Sequence, residues 1–136
     1  MELVNCSKKY WEFVRLLRTH PNNLEGFVNH NNISLKEQKM FMSKNHKFFK
    51  ICLQNNLPVG YIGLIGPKKD EITLAVAPEN KSSGIGSFMI HNLLNTHNEL
   101  WAKVKHNNAA SIKLFQKLGF IQKIKNDFIY FYSYET

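Results

Sequence analysis

One stretch near the middle of the chain limits the possible folds more than any other stretch. In it an apolar segment is followed by small residues and then by a second apolar segment. It covers residues 76–87 and contains the pair Gly84 and Gly86. The pattern predicts a strand, then a loop, then a helix that begins at about Ser83. A helix start presents unpartnered N–H groups and the positive end of the helix dipole, and glycine lets a ligand approach the backbone. The stretch therefore predicts a site for a phosphate-rich ligand, with Lys81 adding a positive charge at its mouth.

Two known phosphate-binding patterns can be compared with this loop. A Rossmann fingerprint needs a third glycine and a later acidic residue at the right distance, and both are missing. A Walker loop ends in Gly-Lys-Ser/Thr, which does not occur here either. Two interpretations stay open: a pyrophosphate cradle of another kind, and an ordinary strand-to-helix turn.

The rest of the chain reads as alternating strands and helices. Apolar runs predict strands over residues 2–6, 47–54, 59–65, 71–77, 100–105, 121–124 and 128–134. Predicted helices begin near Ser7, Ser34, Ser83 and Ala109. Ser34 and Glu37 form a capping-box pattern, which marks the start of the second helix. The resulting order, β-α-α-β-β-β-α-β-α-β-β, predicts a mixed sheet with helices on its faces.

Length and composition predict one domain over residues 1–136. No apolar run reaches the roughly 20 residues that span a bilayer, and the first residues do not read as a signal peptide. Cys6 and Cys52 lie in apolar stretches, which favours buried reduced thiols over a disulfide or metal pair. These features fit a cytoplasmic protein, and the six scattered histidines show no metal-binding spacing.

The net charge of +8 favours an anionic ligand without identifying one. All but two of the basic residues are lysines, so the charge can also reflect a general compositional bias. A nucleic-acid-binding module would need lysines interleaved with aromatic residues on one surface. The aromatic residues here fall at the spacing of core positions, so we do not expect a nucleic-acid partner.

A second informative segment runs from Asn108 to Phe120. As an amphipathic helix it places Leu114 and Phe115 in the core and ends at Gly119, the expected left-handed cap. Asn108 could cap this helix, or its side-chain amide could bind a ligand beside the preceding strand. Both interpretations stay open from the residues alone.

Together the two segments resemble the GCN5-related N-acetyltransferase superfamily. Its cofactor motif, Val-x-Pro-x-x-Arg/Gln-x-x-Gly-x-Gly/Ala, is met, with lysine in place of Arg/Gln, by Val76, Pro78, Lys81, Gly84 and Gly86. Its later motif, Asn-x-x-Ala/Ser-x-x-Leu-Tyr-x-x-x-Gly-Phe, is met by Asn108, Ser111, Leu114, Gly119 and Phe120. The predicted element order agrees as well, so the resemblance covers nearly the whole chain.

The resemblance implies an α/β (α+β) fold: a mixed, mostly antiparallel central sheet of six to seven strands, four flanking helices, and splayed fourth and fifth strands. It also implies an N-acetyltransferase that moves an acetyl group from acetyl-CoA to a primary amine, without a metal. The residues that it assigns to acetyl-CoA are Val76, Ala77, Lys81, Ser82, Ser83, Gly84, Ile85, Gly86, Ser87, Asn108 and Phe115.

The implied reaction needs a neutral amine. An alkyl amine with a pKa near ~10.4 is neutral in about one molecule in a thousand at pH 7, so a base, often acting through water, accelerates the attack. The resemblance makes Glu71 the first candidate for this base, with Glu25 and His30 as weaker ones. A strand N–H near Val76 would polarise the carbonyl.

The leaving thiolate also takes up a proton, and here the chain departs from the family pattern. Phe115 stands where many relatives carry tyrosine, and phenylalanine cannot donate a proton. Either water or a tyrosine from the last strand (Tyr130, Tyr132 or Tyr134) supplies the proton, or no acid is needed. A catalytically silent acetyl-CoA-binding module is the other interpretation of this substitution.

The acceptor is expected to contact residues 18–43 and the last strands. Residues 18–22 and 33–38 resemble small acetyltransferases that act on amino sugars of nucleotide-linked precursors. A small-molecule amine, an amino sugar or amino acid, is therefore the first expectation, and a protein N-terminus or lysine is the second. The protein is expected to be a monomer or a homodimer with no membrane partner.

Overall fold

A computed structural model describes residues 1–24, 33–81 and 83–136. Within these ranges the strands are β1 (Glu2–Asn5), β2 (Phe49–Gln54), β3 (Leu57–Ile65), β4 (Glu71–Val76), β5 (Trp101–Lys105), β6 (Ile121–Lys125) and β7 (Phe128–Tyr132). The α-helices in the same ranges are α1 (Trp11–Thr19), α2 (Pro21–Leu24), α3 (Leu35–Asn45), α4 (Ile85–Leu94) and α5 (Ala109–Lys117). None of these helices is long and apolar enough to cross a membrane.

Helix starts follow local sequence chemistry at some positions and depart from it at others. The Ser34–Glu37 capping box that the sequence predicts forms in both directions at the start of α3. Ser7, in contrast, makes no side-chain cap, because a 3₁₀ turn over Lys8–Tyr10 precedes α1. The chain leaves α1 at Thr19 and starts the single turn α2 with proline, whose missing N–H costs nothing at a helix start.

The tight turn between β2 and β3 fixes the register of the sheet. Asn55 and Asn56 have φ values of 53° and 65°, which is the type I′ geometry of a two-residue hairpin. Gln54 therefore pairs with Leu57 directly across the turn. Asparagine tolerates the left-handed region better than most side chains, so the Asn pair predicts the turn by a physical mechanism.

The seven strands of the described residues form one sheet in the order β1-β2-β3-β4-β5-β7-β6. Every neighbouring pair is antiparallel except β4 and β5. These two parallel strands pair at a single position, Glu71 opposite Trp101, and the Trp101 N–H donates to the Asp70 carbonyl at 3.1 Å. Beyond that point β4 and β5 separate. The structure thus confirms the mixed, mostly antiparallel sheet with splayed fourth and fifth strands.

Helices cover different strands on the two faces of the sheet. Over β2–β4, α1 and α3 bury one face with Val14, Leu17 and Met42 packed on Phe49, Ile51, Tyr61 and Ala75. On the opposite face, α4 and α5 bury β3, β4, β5 and β7 with Ile85, Met89, Ile90 and Phe115 packed on Ile62, Ile72, Val104 and Phe131. The four longer helices therefore flank the sheet as predicted, two on each face.

Candidate functional site

The separation of β4 and β5 leaves a cavity of about 710 Å³ at the carboxyl end of β4. Its walls come from β4, from the loop after it, from the start of α4 and from α5. The described residues that line it are Asn23, Leu74, Ala75, Val76, Asn80, Lys81, Gly84, Ile85, Gly86, Ser87, Asn107, Asn108, Ala109, Ala110, Ser111, Lys113, Leu114 and Lys117. The two segments that the sequence singled out thus face each other across one cavity.

The start of α4 forms the floor of this cavity. Gly84 is the N-cap residue, with a φ of 83° and a ψ of 8°, and no side chain caps the helix at this position. The first N–H groups of α4 lack intrahelical partners, as at any helix start, and they lie at the cavity. A Cβ added to Gly84 would meet nothing within 4 Å, so it would project into open space. The helix begins at Ile85, two residues later than predicted, because Gly84 still adopts the left-handed conformation.

Gly86 has a different reason to be glycine. A Cβ at this position would lie 3.0 Å from Leu114 Cδ2, which is tighter than an ordinary contact. The first turn of α4 therefore packs directly against the middle of α5. This close approach brings α4 and α5 together where both line the cavity.

The wall formed by α5 combines a cap with positive charge. Asn108 accepts a hydrogen bond from the Ser111 N–H at 3.2 Å, so its side chain caps α5 while it also lines the cavity. Lys113 and Lys117 line the cavity one helical turn apart and are exposed. Together with Lys81 on the opposite side, they give this part of the cavity a positive lining.

Residues 10–120 match the sequence profile of the acetyltransferase (GNAT) family, which covers most of the chain. The chain belongs to the acetyltransferase (GNAT) family. The match confirms the resemblance drawn from the two motifs, and the family takes acetyl-CoA as its cosubstrate. A search of curated protein sequences gives no match to this GNAT chain.

Solved structures share the fold of this GNAT chain at low sequence identity. A spermidine N-acetyltransferase from Vibrio cholerae, in complex with CoA and spermine, is 16% identical with a TM-score of 0.81, covering 96% of this chain and 93% of that one. A domain from Methanocaldococcus jannaschii is 18% identical with a TM-score of 0.80, covering 96% of both chains. A putative acetyltransferase from Salmonella typhimurium, with its cofactor acetyl-CoA, is 16% identical with a TM-score of 0.76, covering 97% and 91%.

The predicted acetyl-CoA residues of this GNAT chain fall into three groups. Those at the cavity are Val76, Lys81, Gly84, Ile85, Gly86, Ser87 and Asn108. Ala77, Ser83 and Phe115 are not among its lining residues, and Ser82 lies outside the described residues. The Ala77 N–H donates to the Val59 carbonyl at 2.8 Å and its carbonyl accepts from the Asn80 N–H at 2.8 Å. Both backbone groups of Ala77 are therefore already paired within the protein.

Phe115 belongs to the core of the sheet. It is 3% exposed, stacks on Phe131 with ring centroids 5.3 Å apart, and meets the edge of Phe120 at 5.1 Å. These contacts identify it as a packing residue. The tyrosines considered as proton donors lie on the last strand and beyond it, and Tyr130 stacks on Trp101 at 5.9 Å.

Glu71, the first candidate for the base, opens β4 at the end where β4 and β5 still touch. Its carboxylate lies near Gly66, since a Cβ added there would be 3.9 Å from Glu71 Oε1. Burial raises the pKa of Glu71, the positive charge of Lys103 lowers it, and the negative charge of Asp70 raises it. The cavity lining begins at Leu74, about 10 Å further along the strand. Glu25 and His30 lie outside the described residues.

Sequence reasoning missed Asn23. Asn23 is 7% exposed, and its side-chain amide donates to the Leu17 carbonyl at 3.0 Å and to the Val76 carbonyl at 3.4 Å. It thereby ties the end of α1 to the carboxyl end of β4, where the cavity opens. No local pattern distinguishes this Asn from its neighbours, because its role depends on a contact 53 residues away along the chain.

Lys113 and Lys117 were also missed, although a signal for them exists. Their spacing of four residues places them on one face of the predicted helix, beside the apolar stripe. Which helix face meets the cavity depends on how α5 packs, and the sequence does not give this. Among the described residues, no group of three or more His, Cys, Asp or Glu side chains is placed to hold a metal ion.

Proposed function

We propose that this chain transfers an acetyl group from acetyl-CoA to the primary amine of a small molecule, with an amino sugar or amino acid as the first choice. The observation that carries the proposal is the cavity at the carboxyl end of β4, where β4 has separated from β5, which meets the uncapped start of α4. Family membership supports the same activity. Free, buried Cys6 and Cys52 fit the reducing cytoplasm as its location.

Acetyl-CoA carries a pyrophosphate, a further phosphate and a long arm that ends in the thioester. The N–H groups at the start of α4 suit the pyrophosphate, because a helix start favours negative charge and Gly84 leaves room for it. Lys81 faces the same space, and Lys113 and Lys117 suit the remaining phosphate. With Ala77 already paired, we assign the arm to the backbone of Leu74–Val76, which borders the gap in the sheet.

Acetyl-CoA supplies the acetyl group; the chain supplies orientation and proton transfer. As the amine nitrogen bonds to the carbonyl carbon, the carbon–sulfur bond breaks, the amine loses one proton and the thiolate gains one. Glu71 is our candidate for the base that receives the amine proton through water, since its raised pKa makes it a stronger base than an exposed Glu. Glu71 and the cavity lie on the same strand, which fixes their separation.

The proton for the thiolate comes from solvent in this proposal. Phe115 has no ionisable group and packs between two aromatic rings, so it takes no part in proton transfer. A thiolate is a weak base with a pKa near ~8.5 for an ordinary thiol, so it leaves without a dedicated acid. The substitution at this position is thus compatible with an active enzyme.

The test is thiol release from acetyl-CoA with a panel of amines, with the acetylated product identified by mass spectrometry. The panel contains amino sugars, amino acids, polyamines and peptides with a free N-terminus or a lysine. We expect product with at least one small-molecule amine. Binding of acetyl-CoA, seen as a rise in melting temperature, without thiol release for any amine would instead indicate a silent binding module. Product only with peptides would indicate a protein acetyltransferase.

A further inference from the structure

Lysines and aromatic rings alternate across one face of the strands β5, β7 and β6. The register places Lys103, Tyr130 and Lys123 side by side in one row, and Lys105, Phe128 and Lys125 in the next. All six are half-buried or exposed, whereas Ile129 and Phe131 point to the core. The expectation that the aromatic residues occupy core positions therefore fails for three of the four aromatic residues of β7. We call these six residues the lysine–aromatic face.

The lysines of this face lie against the rings. Lys103 Nζ is 4.2 Å from the centroid of Phe128 and 6.0 Å from that of Tyr130, and Lys125 Nζ is 5.7 Å from the centroid of Tyr130. Lys123 Nζ is 5.8 Å from the Tyr132 ring and also donates to the Thr136 hydroxyl. Such contacts hold the long side chains over the sheet.

The size of the face suits a small anion. Lysines on β5 and β6 are two strand spacings apart, about 10 Å, and the two rows are two residues apart, about 7 Å. The four lysines thus project from the corners of a patch large enough for a diphosphate. Single-stranded nucleic acid commonly occupies four or more nucleotides on its binding protein, which needs a longer stripe than two rows.

The charge on this side of the sheet changes sign along β5. Glu71 pairs with Trp101 across the β4–β5 junction, and Asp70 accepts a hydrogen bond from the Trp101 indole at 3.1 Å. Glu99 lies two residues before Trp101 in the chain. Negative charge therefore gathers at the start of β5 and positive charge toward its end, about 13 Å away between Trp101 and Lys105. An acceptor that carries an amine and phosphates on the same molecule matches this arrangement of charge.

The lysine–aromatic face also lies beside the gap between β4 and β5, on the side of the sheet away from α4 and α5. On the opposite face, α4 and α5 pack over these strands. Residues 71, 73 and 75 of β4 share the side of the sheet that carries Trp101 and Lys103, because paired residues of neighbouring strands point the same way. On this side α1 and α3 cover Ala75, whereas Thr73 and Trp101 are half-buried. An acceptor on the lysine–aromatic face would therefore lie next to the part of β4 that leads into the gap.

We propose that the lysine–aromatic face selects a phosphate-bearing amine with a planar ring, of which a nucleotide-linked amino sugar is representative. The inference rests on the proposed acetyltransferase function and names its acceptor class. The lysines pair with the phosphates, an aromatic ring of β7 packs against the base or sugar, and the amine lies toward Glu71.

The test compares ligands that differ only in the phosphate-bearing part. UDP-glucosamine and glucosamine share the same kind of amine, and UDP and uridine share the same base. With CoA present at saturation, titration calorimetry should show UDP binding and little or no uridine binding. In the acetylation assay, kcat/KM should be at least about ten-fold higher for UDP-glucosamine than for glucosamine, the size expected from one charge-assisted contact.

Two matched double variants separate this face from general charge. Lys123→Gln with Lys125→Gln should weaken UDP binding at least about ten-fold and remove the preference for UDP-glucosamine, while turnover of glucosamine stays as in the parent. Lys8→Gln with Lys9→Gln, at exposed positions before α1, changes the net charge equally and should alter neither quantity. Tyr130→Leu should weaken UDP binding but spare binding of inorganic pyrophosphate.

The outcomes distinguish this inference from the proposed function. Suppose that acetyl-CoA binds and amines are acetylated, but UDP binds no better than uridine, or the Lys123 and Lys125 changes have no effect. The proposed acceptor class is then wrong, while the proposed acetyltransferase activity is supported. The acceptor class is equally wrong if a single-stranded oligonucleotide binds more tightly than UDP, or if these changes only dissociate a dimer in light scattering. If acetyl-CoA itself fails to bind, the proposed acetyltransferase function is wrong.

Discussion

The left-handed glycine at the start of α4 gives the sharpest test of the acetyl-CoA site. Gly84 and Gly119 have nearly the same φ, 83° and 80°, and a Cβ added to either would meet nothing within 4 Å. Changing either to alanine forces a side chain into the left-handed region, which costs about 1–2 kcal/mol. Of these two glycines, only Gly84 lines the cavity. The pair therefore separates backbone strain from ligand contact.

We expect Gly84→Ala and Gly119→Ala to lower the free energy of unfolding by similar amounts, measured by urea denaturation. Their affinities for acetyl-CoA should differ, because the new methyl group at residue 84 occupies space that we assign to the pyrophosphate. The expected loss for Gly84→Ala is at least about ten-fold in Kd by titration calorimetry, or about 1.4 kcal/mol. Gly119→Ala should bind acetyl-CoA as the parent does.

A third variant rules out distortion of the loop as the cause. Asparagine tolerates the left-handed region better than alanine but is larger, so Gly84→Asn should unfold less easily than Gly84→Ala and bind acetyl-CoA more weakly. Opposite orders for stability and affinity cannot arise from strain alone. Equal affinities for the variants at positions 84 and 119 would refute the assignment of the cradle to the start of α4.

Two further variants test β4 and the packing of β3. Glu71→Gln should lower kcat/KM about 10²-fold without weakening acetyl-CoA binding, with a smaller deficit at higher pH; a pH–rate profile that overlays the parent's would contradict the base role. Because burial raises the pKa of Glu71, its charged form opposes folding, so the same variant should melt higher at pH 7. That gain should shrink as the pH falls through the raised pKa and be absent below the ordinary value of ~4.3. Gly63→Ala should cost about 1–3 kcal/mol in urea denaturation, since its Cβ would lie 2.4 Å from Phe49 Cε2. Adding Phe49→Leu should recover part of that loss, and an unrelieved loss would refute the clash.

Much of the fold could be predicted because its signals are local. The Asn55–Asn56 turn, the capping box at Ser34 and the left-handed Gly119 each depend on a few neighbouring residues, and the structure shows all three. The proposed phosphate site at the start of α4 could be predicted for the same reason, because a glycine pair between a strand and a helix already specifies a backbone that phosphate can approach. These features agree with one another, which is why the element order emerges correctly.

Other parts of the site depend on distant contacts. Asn23 reaches the cavity only through the packing of α1 against β4, and Lys113 becomes a wall residue only because α5 packs beside α4 at Gly86. Ala77 follows the motif, yet its N–H pairs with Val59 on the neighbouring strand. Such pairings link residues far apart in the chain, so no local window contains them.

The order of residues in β5 and β7 is enough to say which of them share a face, since side chains alternate along a strand. It does not say which face is covered. That depends on the folded chain, in which α4 and α5 bury Val104 and Phe131 while Lys103 and Tyr130 remain on the outer side. Covering a face depends on where helices pack on the sheet, and that is set by the whole core rather than by any one strand.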